Sequence, residues 1–140
     1  MNADLIAGGL APLRPEMAAI AAGRLFLKEL DRLAEARADF AFESTLSGVG
    51  YVSRLQRWKK EGYRVEMIYL ALPSPDIALR RIAARVRQGG HNVPRREVLR
   101  RFGRSRLNFH NLYQPLADRW EIYDNSGDSP RFLRKGSKEA

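Results

Sequence analysis

Apolar residues recur along this 140-residue chain with two periods, and the switches between them outline the fold. From Pro15 to Arg37 the steps are three and four: Ile20, Leu27, Leu30 and Ala34 share one face, with Pro15 and Glu16 at the opening, so a long helix is predicted. FAFEST, residues 40–45, alternates and predicts a short strand, and SGVG turns the chain into a second helix. Tyr51, Leu55 and Trp58 give that helix its inward stripe, and Gly62 ends it. YRVEMIYLAL, residues 63–72, is the strongest strand signal in the chain. Ser74, Pro75 and Asp76 then start a third helix, with Leu79, Ile82, Ala83 and Val86 expected to face the core until Gly89 and Gly90 stop it. Pro94 opens a fourth, whose apolar face is Val98, Phe102, Phe109 and Tyr113. WEIYDNSG, residues 120–127, predicts a last strand running into a turn, and the polar tail 128–140, which lacks periodicity, is expected to be disordered.

Strands alternating with helices of this length imply an α/β fold: a parallel sheet flanked by helices. In such sheets ligands sit beyond the carboxyl ends of the strands. That rule selects Glu43, Ser44 and Thr45, then Pro73 and Ser74, then Asp124, Asn125 and Ser126.

Composition narrows the picture. One domain fits the length, no apolar run approaches a membrane span, and the N-terminus lacks a basic segment followed by an apolar one. With no cysteine there is neither a disulfide framework nor a thiolate metal site, which suits a reducing cytoplasm. Two histidines, His91 in a turn and His110, do not make a histidine metal site.

The formal charge of +9 is localised. Residues 80–106 hold ten arginines, no lysine and one acid, Glu97, which leaves the rest of the chain near neutrality. Nucleic-acid surfaces more often mix lysine with arginine and interleave aromatics. Planar guanidinium groups suit bidentate capture of phosphate oxygens. Some of these side chains, Arg80 and Arg95 among them, fit an ordinary solvated helix face. Arg96, Arg100 and Arg104, however, lie four apart, as do Arg81 and Arg85, so two like-charged stripes meet around the Gly-Gly hinge. A lid that closes on phosphates accounts for that arrangement.

NADLIA, FAFESTLSG, RVRQGGHNVP and YDNSG, in that order over residues 2–127, resemble the zeta toxin family of P-loop kinases and its chromosomal relatives. The resemblance implies a nucleotide-kinase-like domain over 1–127, with an arginine-rich lid at about 80–106. It implies ATP and Mg2+ as cofactors and phosphorylation of a hydroxyl on UDP-N-acetylglucosamine or a similar small molecule. It places Asp4 as general base, Glu43 with Thr45 against the sugar nucleotide, and arginines among Arg85, Arg87, Arg100 and Arg101 on the phosphates, with Arg87 and Arg100 at the transferring phosphoryl group. The residues themselves add Ser44 as a neighbour in the substrate pocket, and Asn125 reads first as a turn residue and second as a lining of the adenine pocket. A partner antitoxin protein is implied too. Asp4 also has a plain alternative as the cap of a short helix starting at Leu5, and Glu43 is the second choice as base.

One part of the family pattern is missing. No GxxxxGK[ST] occurs in the sequence, whereas a P-loop kinase cradles phosphates with that loop's backbone and lysine and holds magnesium with its Ser or Thr. Met1 stands where relatives carry an apolar strand residue before the NAD motif. The resemblance thus implies an N-terminally shortened kinase, without the first strand and phosphate loop, in which that strand would lie between FAFEST and RVEMIYLAL. Three functions follow as expectations: an impaired phosphotransferase, a non-catalytic protein that still binds nucleotide or antitoxin, and, least favoured, a nucleic-acid binder.

Overall fold

The structure is a computed structural model that describes residues 1–10, 18–90 and 92–138, with backbone alone for residues 4, 5, 7 and 8. The expectations for Pro15, Glu16 and His91 lie outside the described residues. The chain divides into two compact units, residues 1–44 and 45–140.

The first unit is a helix pair, α1 (Ala3–Leu10) and α2 (Ala19–Glu35). Ala22, Phe26, Leu30 and Ala34 are buried at steps of four along α2. This stripe differs from the expected one: Ile20 is 76% exposed, because the face that packs runs through Phe26, whose ring meets Phe42 edge-on at 5.9 Å. α2 ends with Arg37 at φ +59°, the left-handed conformation, while Ala38 N–H donates to the Leu33 carbonyl at 3.0 Å.

FAFEST does not form a strand. Alternation prepares a face, but a strand also needs a neighbouring strand, and among the described residues none pairs with this segment. The Met1 amine donates to the Ala41 carbonyl at 2.9 Å, and Glu43 N–H donates to the Met1 carbonyl at 3.0 Å.

The second unit carries α3 (Val52–Lys60), β1 (Glu66–Ala71), α4 (Pro75–Arg87), α5 (Arg95–Asn108), β2 (Arg119–Asp124) and β3 (Arg131–Ser137). α5 continues into a π-helical turn over Phe109–Tyr113 and a short 3-10 turn over Gln114–Leu116. The sheet order is β1-β2-β3, with β1 parallel to β2 and β3 antiparallel to it. The sheet is therefore mixed, and the tail expected to be disordered supplies an ordered strand. Gly136 makes that pairing fit. It lies opposite Trp120, and a Cβ there would come within 2.4 Å of the indole ring.

Leu55, Trp58, Val65, Val98, Phe109, Tyr113, Ala117 and Ile122 are buried in this unit. Tyr69 of β1 stacks on Phe109 at 4.2 Å and 5°, which joins the sheet to the end of α5. The opposite side of β1 is open, with Ile68 70% and Leu70 50% exposed. Unlike its neighbours, α4 buries no residue. Val86 and Ala83, expected inside, are exposed; the helix packs beside α5.

Both glycine-terminated helices end in the same six-residue closure. At α4, Gly89 takes φ +84° and donates to Val86, while Gly90 N–H donates to the Arg85 carbonyl at 2.7 Å. At α3, Gly62 takes φ +100° and Tyr63 N–H donates to the Trp58 carbonyl at 2.9 Å. Glycine removes the Cβ penalty at such positions. At Gly90 the spacing alone would exclude a side chain, since a Cβ would lie 2.8 Å from the Arg85 carbonyl oxygen.

Candidate functional site

The sequence-selected residues fall into both units. In the first, Asp4 lies in the opening turn of α1. Two residues before it, the Asn2 carboxamide donates to Glu43 Oε2 at 3.0 Å. The segment leading to Asp4 and the segment carrying Glu43 therefore run side by side, joined by this bond and by the two backbone bonds through Met1. Glu43 and Ser44 are exposed.

In the second unit, Thr45 starts a loop that the end of α5 holds in place. Thr45 Oγ1 lies 2.9 Å from Ser47 Oγ and accepts from Ser47 N–H at 3.4 Å. Asn108 donates through its carboxamide to the Leu46 carbonyl at 2.8 Å, and the Tyr113 hydroxyl donates to the Gly48 carbonyl at 2.7 Å. Burial raises the Tyr113 phenol above its ordinary range, so it stays a donor at neutral pH. Leu46 has φ +54°. A branched-chain residue in the left-handed region is strained by about 1–2 kcal/mol, and the anchors at its own carbonyl and at that of Gly48 hold the loop in that shape. Asn108 and Tyr113 went unrecognised in the sequence, where Tyr113 counted only as part of an apolar stripe. A polar Asn inside a helix was the available signal.

At the carboxyl end of β2 the chain makes a tight turn. Asp124 Oδ1 accepts from Ser126 N–H at 2.9 Å, and Oδ2 faces Arg131 at 3.3 Å. The Ser126 bonds and then Arg131 hold the Asp124 carboxyl below the usual range. Asn125 N–H donates to the Ala71 carbonyl at 2.8 Å, continuing the parallel pairing one residue past the strand. The Asn125 carbonyl accepts from Arg81 at 2.5 Å, and the Gly127 carbonyl accepts from the same nitrogen at 3.3 Å.

The arginines divide by what they touch. Arg85 and Arg87, at the end of α4, are exposed and make no ion pair among the described residues. Arg85 follows Arg81 by one turn, about 6 Å along the axis. Arg100 and Arg101 are occupied, since both face Glu97, Arg100 at 2.5 Å and Arg101 at 3.6 Å. The Arg100 hydrogen bond in particular keeps the Glu97 carboxyl below its ordinary range.

An open cleft of about 320 Å3, lined by Gly62, Tyr63, Arg64, Asp118 and Lys138, lies at the amino ends of β1 and β2. That is the end of the strands opposite to the turn bearing Asn125. No group of three His, Asp or Glu side chains among the described residues is arranged to hold a cation.

These features, a parallel strand pair with an arginine-bearing helix against the turn after its second strand, coincide with a family match. The sequence pattern of the zeta toxin family covers residues 15–136. The chain belongs to the zeta toxin family. The match takes in β3, which the sequence reading had left outside the domain. An uncharacterized protein of Haemophilus influenzae (strain Rd) is 34% identical over 93 residues, a stretch that covers 66% of this chain and 66% of that protein. The chain thus spans slightly less than two thirds of that relative's length. No solved structure matches. No helix among the described residues is long and apolar enough to cross a membrane.

Proposed function

We propose that the chain is a kinase-like nucleotide-binding protein whose arginine helices receive the phosphates of ATP and whose acceptor is a hydroxyl of a UDP-N-acetylglucosamine-like small molecule. One observation carries the reading: Arg85 and Arg87 are uncommitted cations on the helix that is hydrogen-bonded to the turn carrying Asn125. Cations that an apoprotein leaves without carboxylate partners are suited to phosphate oxygens, where each bond is charge-assisted.

The roles divide along the chain. Asp4 takes the proton of the acceptor hydroxyl as that oxygen bonds to the γ-phosphorus and the bond to the ADP oxygen breaks. Glu43, Ser44 and Thr45 bind the acceptor, and Asn125 meets the base. Arg87 and Arg100 neutralise charge on the transferring group, which requires Arg100 to exchange Glu97 for phosphate. The described residues do not assemble a magnesium site, and the sequence lacks the GK[ST] whose hydroxyl would hold that ion. The same observation favours a second reading, in which these 140 residues bind nucleotide, or an antitoxin at the arginine face, without catalysing transfer.

Calorimetric titration with ATP, with and without Mg2+, tests both, together with phosphate transfer to UDP-N-acetylglucosamine. Arg87→Ala is expected to weaken ATP binding about tenfold, the equivalent of one charge-assisted bond. Asp4→Asn is expected to leave binding intact and remove whatever transfer the wild type shows. Tightening by Mg2+ together with transfer supports the enzyme; metal-independent binding without transfer supports the second reading. Equal loss of binding in both variants would contradict the assigned roles, and no ATP binding by the wild type would end the enzyme reading and the nucleotide-binding form of the second.

A further inference from the structure

Arg81 is one of the ten arginines between residues 80 and 106, and charge alone would assign it to the phosphate-binding set. Its hydrogen bonds differ from those of the other nine. One guanidinium nitrogen serves two carbonyls of the same turn, Asn125 at 2.5 Å and Gly127 at 3.3 Å. The side chain is half-buried, whereas Arg80, Arg85 and Arg87 on the same helix are exposed.

Asn125 is consequently fixed at both backbone groups. Its N–H is held by β1 through Ala71, and its carbonyl is held by α4 through Arg81. Its carboxamide makes no hydrogen bond among the described residues. A residue with a pinned backbone and an uncommitted amide is preorganised for a ligand, since the ordering cost has been met during folding.

We propose that Arg81 is a positioning residue that sets Asn125 for the base and couples the base-binding turn to the helix bearing Arg85 and Arg87. The proposal rests on the nucleotide-binding reading. Its physical consequence is selective. A ligand with both base and phosphates depends on the clamp, whereas one with phosphates alone does not.

The test compares wild type, Arg81→Ala and Arg81→Lys for binding of ATP and of inorganic tripolyphosphate, with amide hydrogen exchange measured over residues 125–127. Gly136→Val serves as a control that loses stability without touching the turn. Arg81→Ala is expected to bind ATP about tenfold more weakly and tripolyphosphate within about twofold of wild type, with exchange in the turn accelerated about tenfold. Arg81→Lys, which keeps a donor but loses the planar group, should fall between, and Gly136→Val should retain the wild-type ratio of the two affinities. Equal weakening toward both ligands would make Arg81 a phosphate ligand and overturn the proposal. So would unchanged exchange in Arg81→Ala. If wild type binds tripolyphosphate but not ATP, or binds neither, the positioning role falls; accelerated exchange would then establish a purely structural clamp.

Discussion

Asp118 joins three parts of the second unit, and removing its charge gives the sharpest test of how that unit is held together. Oδ1 meets Lys59 Nζ of α3 at 2.5 Å, and Oδ2 accepts from Val65 N–H at 2.8 Å, just before β1. Its own N–H donates to the Val65 carbonyl at 2.8 Å, and its carbonyl accepts from Lys138 N–H at 2.9 Å. The Lys59 bond, then the Val65 bond, holds the carboxyl below the ordinary aspartate range. Both side chains are 26% exposed, so water screens the pair partially. Asp118→Asn keeps an acceptor for Val65 and loses the charge-assisted bond, which in this setting is worth about 1–2 kcal/mol; Asp118→Ala loses both bonds, about 2–3 kcal/mol. Because the folded pKa is lowered, the contribution is fully present above the unfolded value near 4 and disappears as pH falls through the folded one. Urea unfolding followed by the fluorescence of Trp58 and Trp120, both within this unit, should show the Asp118→Asn deficit at pH 7. The deficit should be smaller at pH 3, below the unfolded value, than at pH 7. A deficit of the same size at both pH values would refute the electrostatic account, as would the absence of coupling between Asp118→Asn and Lys59→Met in a double-mutant cycle.

Three further outcomes are expected. Gly136→Val should cost about 1–3 kcal/mol, read as a lowered urea midpoint, because its Cβ would overlap the Trp120 ring. Arg37→Gly should raise stability by about 0.5–1 kcal/mol by relieving a side chain at φ +59°, measured by thermal unfolding followed by circular dichroism. Glu97→Gln frees Arg100 and Arg101 from their shared carboxylate and should tighten tripolyphosphate binding several-fold; unchanged affinity would remove those two arginines from the phosphate site.

Local chemistry made much of the fold legible. Leu55 and Trp58 at helical spacing, Pro75 opening a helix and Gly89 closing it, and the apolar run in β1 each carry their own cause, and each element stands where the sequence placed it. What failed depended on a partner. FAFEST has the alternation of a strand but no strand beside it among the described residues. RFLRKGS lacks alternation, with its two apolar residues adjacent, yet it is ordered because β2 offers hydrogen bonds and Trp120 offers a surface for Gly136. Val86 fits an inward stripe only if something covers α4. The site followed the same division. The cluster of arginines was visible as charge, and the turn at Asp124 as turn chemistry. That Arg81 serves carbonyls while Arg100 serves Glu97 depends on which acceptor the fold brings near, and charge along the chain does not encode that.

The open side of β1 changes how copies of this polypeptide meet one another. Ile68 and Leu70 present an oily surface at the sheet's edge strand, and Phe132 and Leu133 are also about half exposed. Each molecule meanwhile carries a charge of +9. Mutual repulsion reaches about 30 Å in 0.01 M salt and about 3 Å in 1 M salt, so dilute electrolyte keeps neighbours apart while concentrated electrolyte lets those surfaces touch. Colloidal behaviour therefore follows ionic strength, with the arginines acting as a charged coat that keeps the exposed side chains of Ile68 and Leu70 on neighbouring molecules apart.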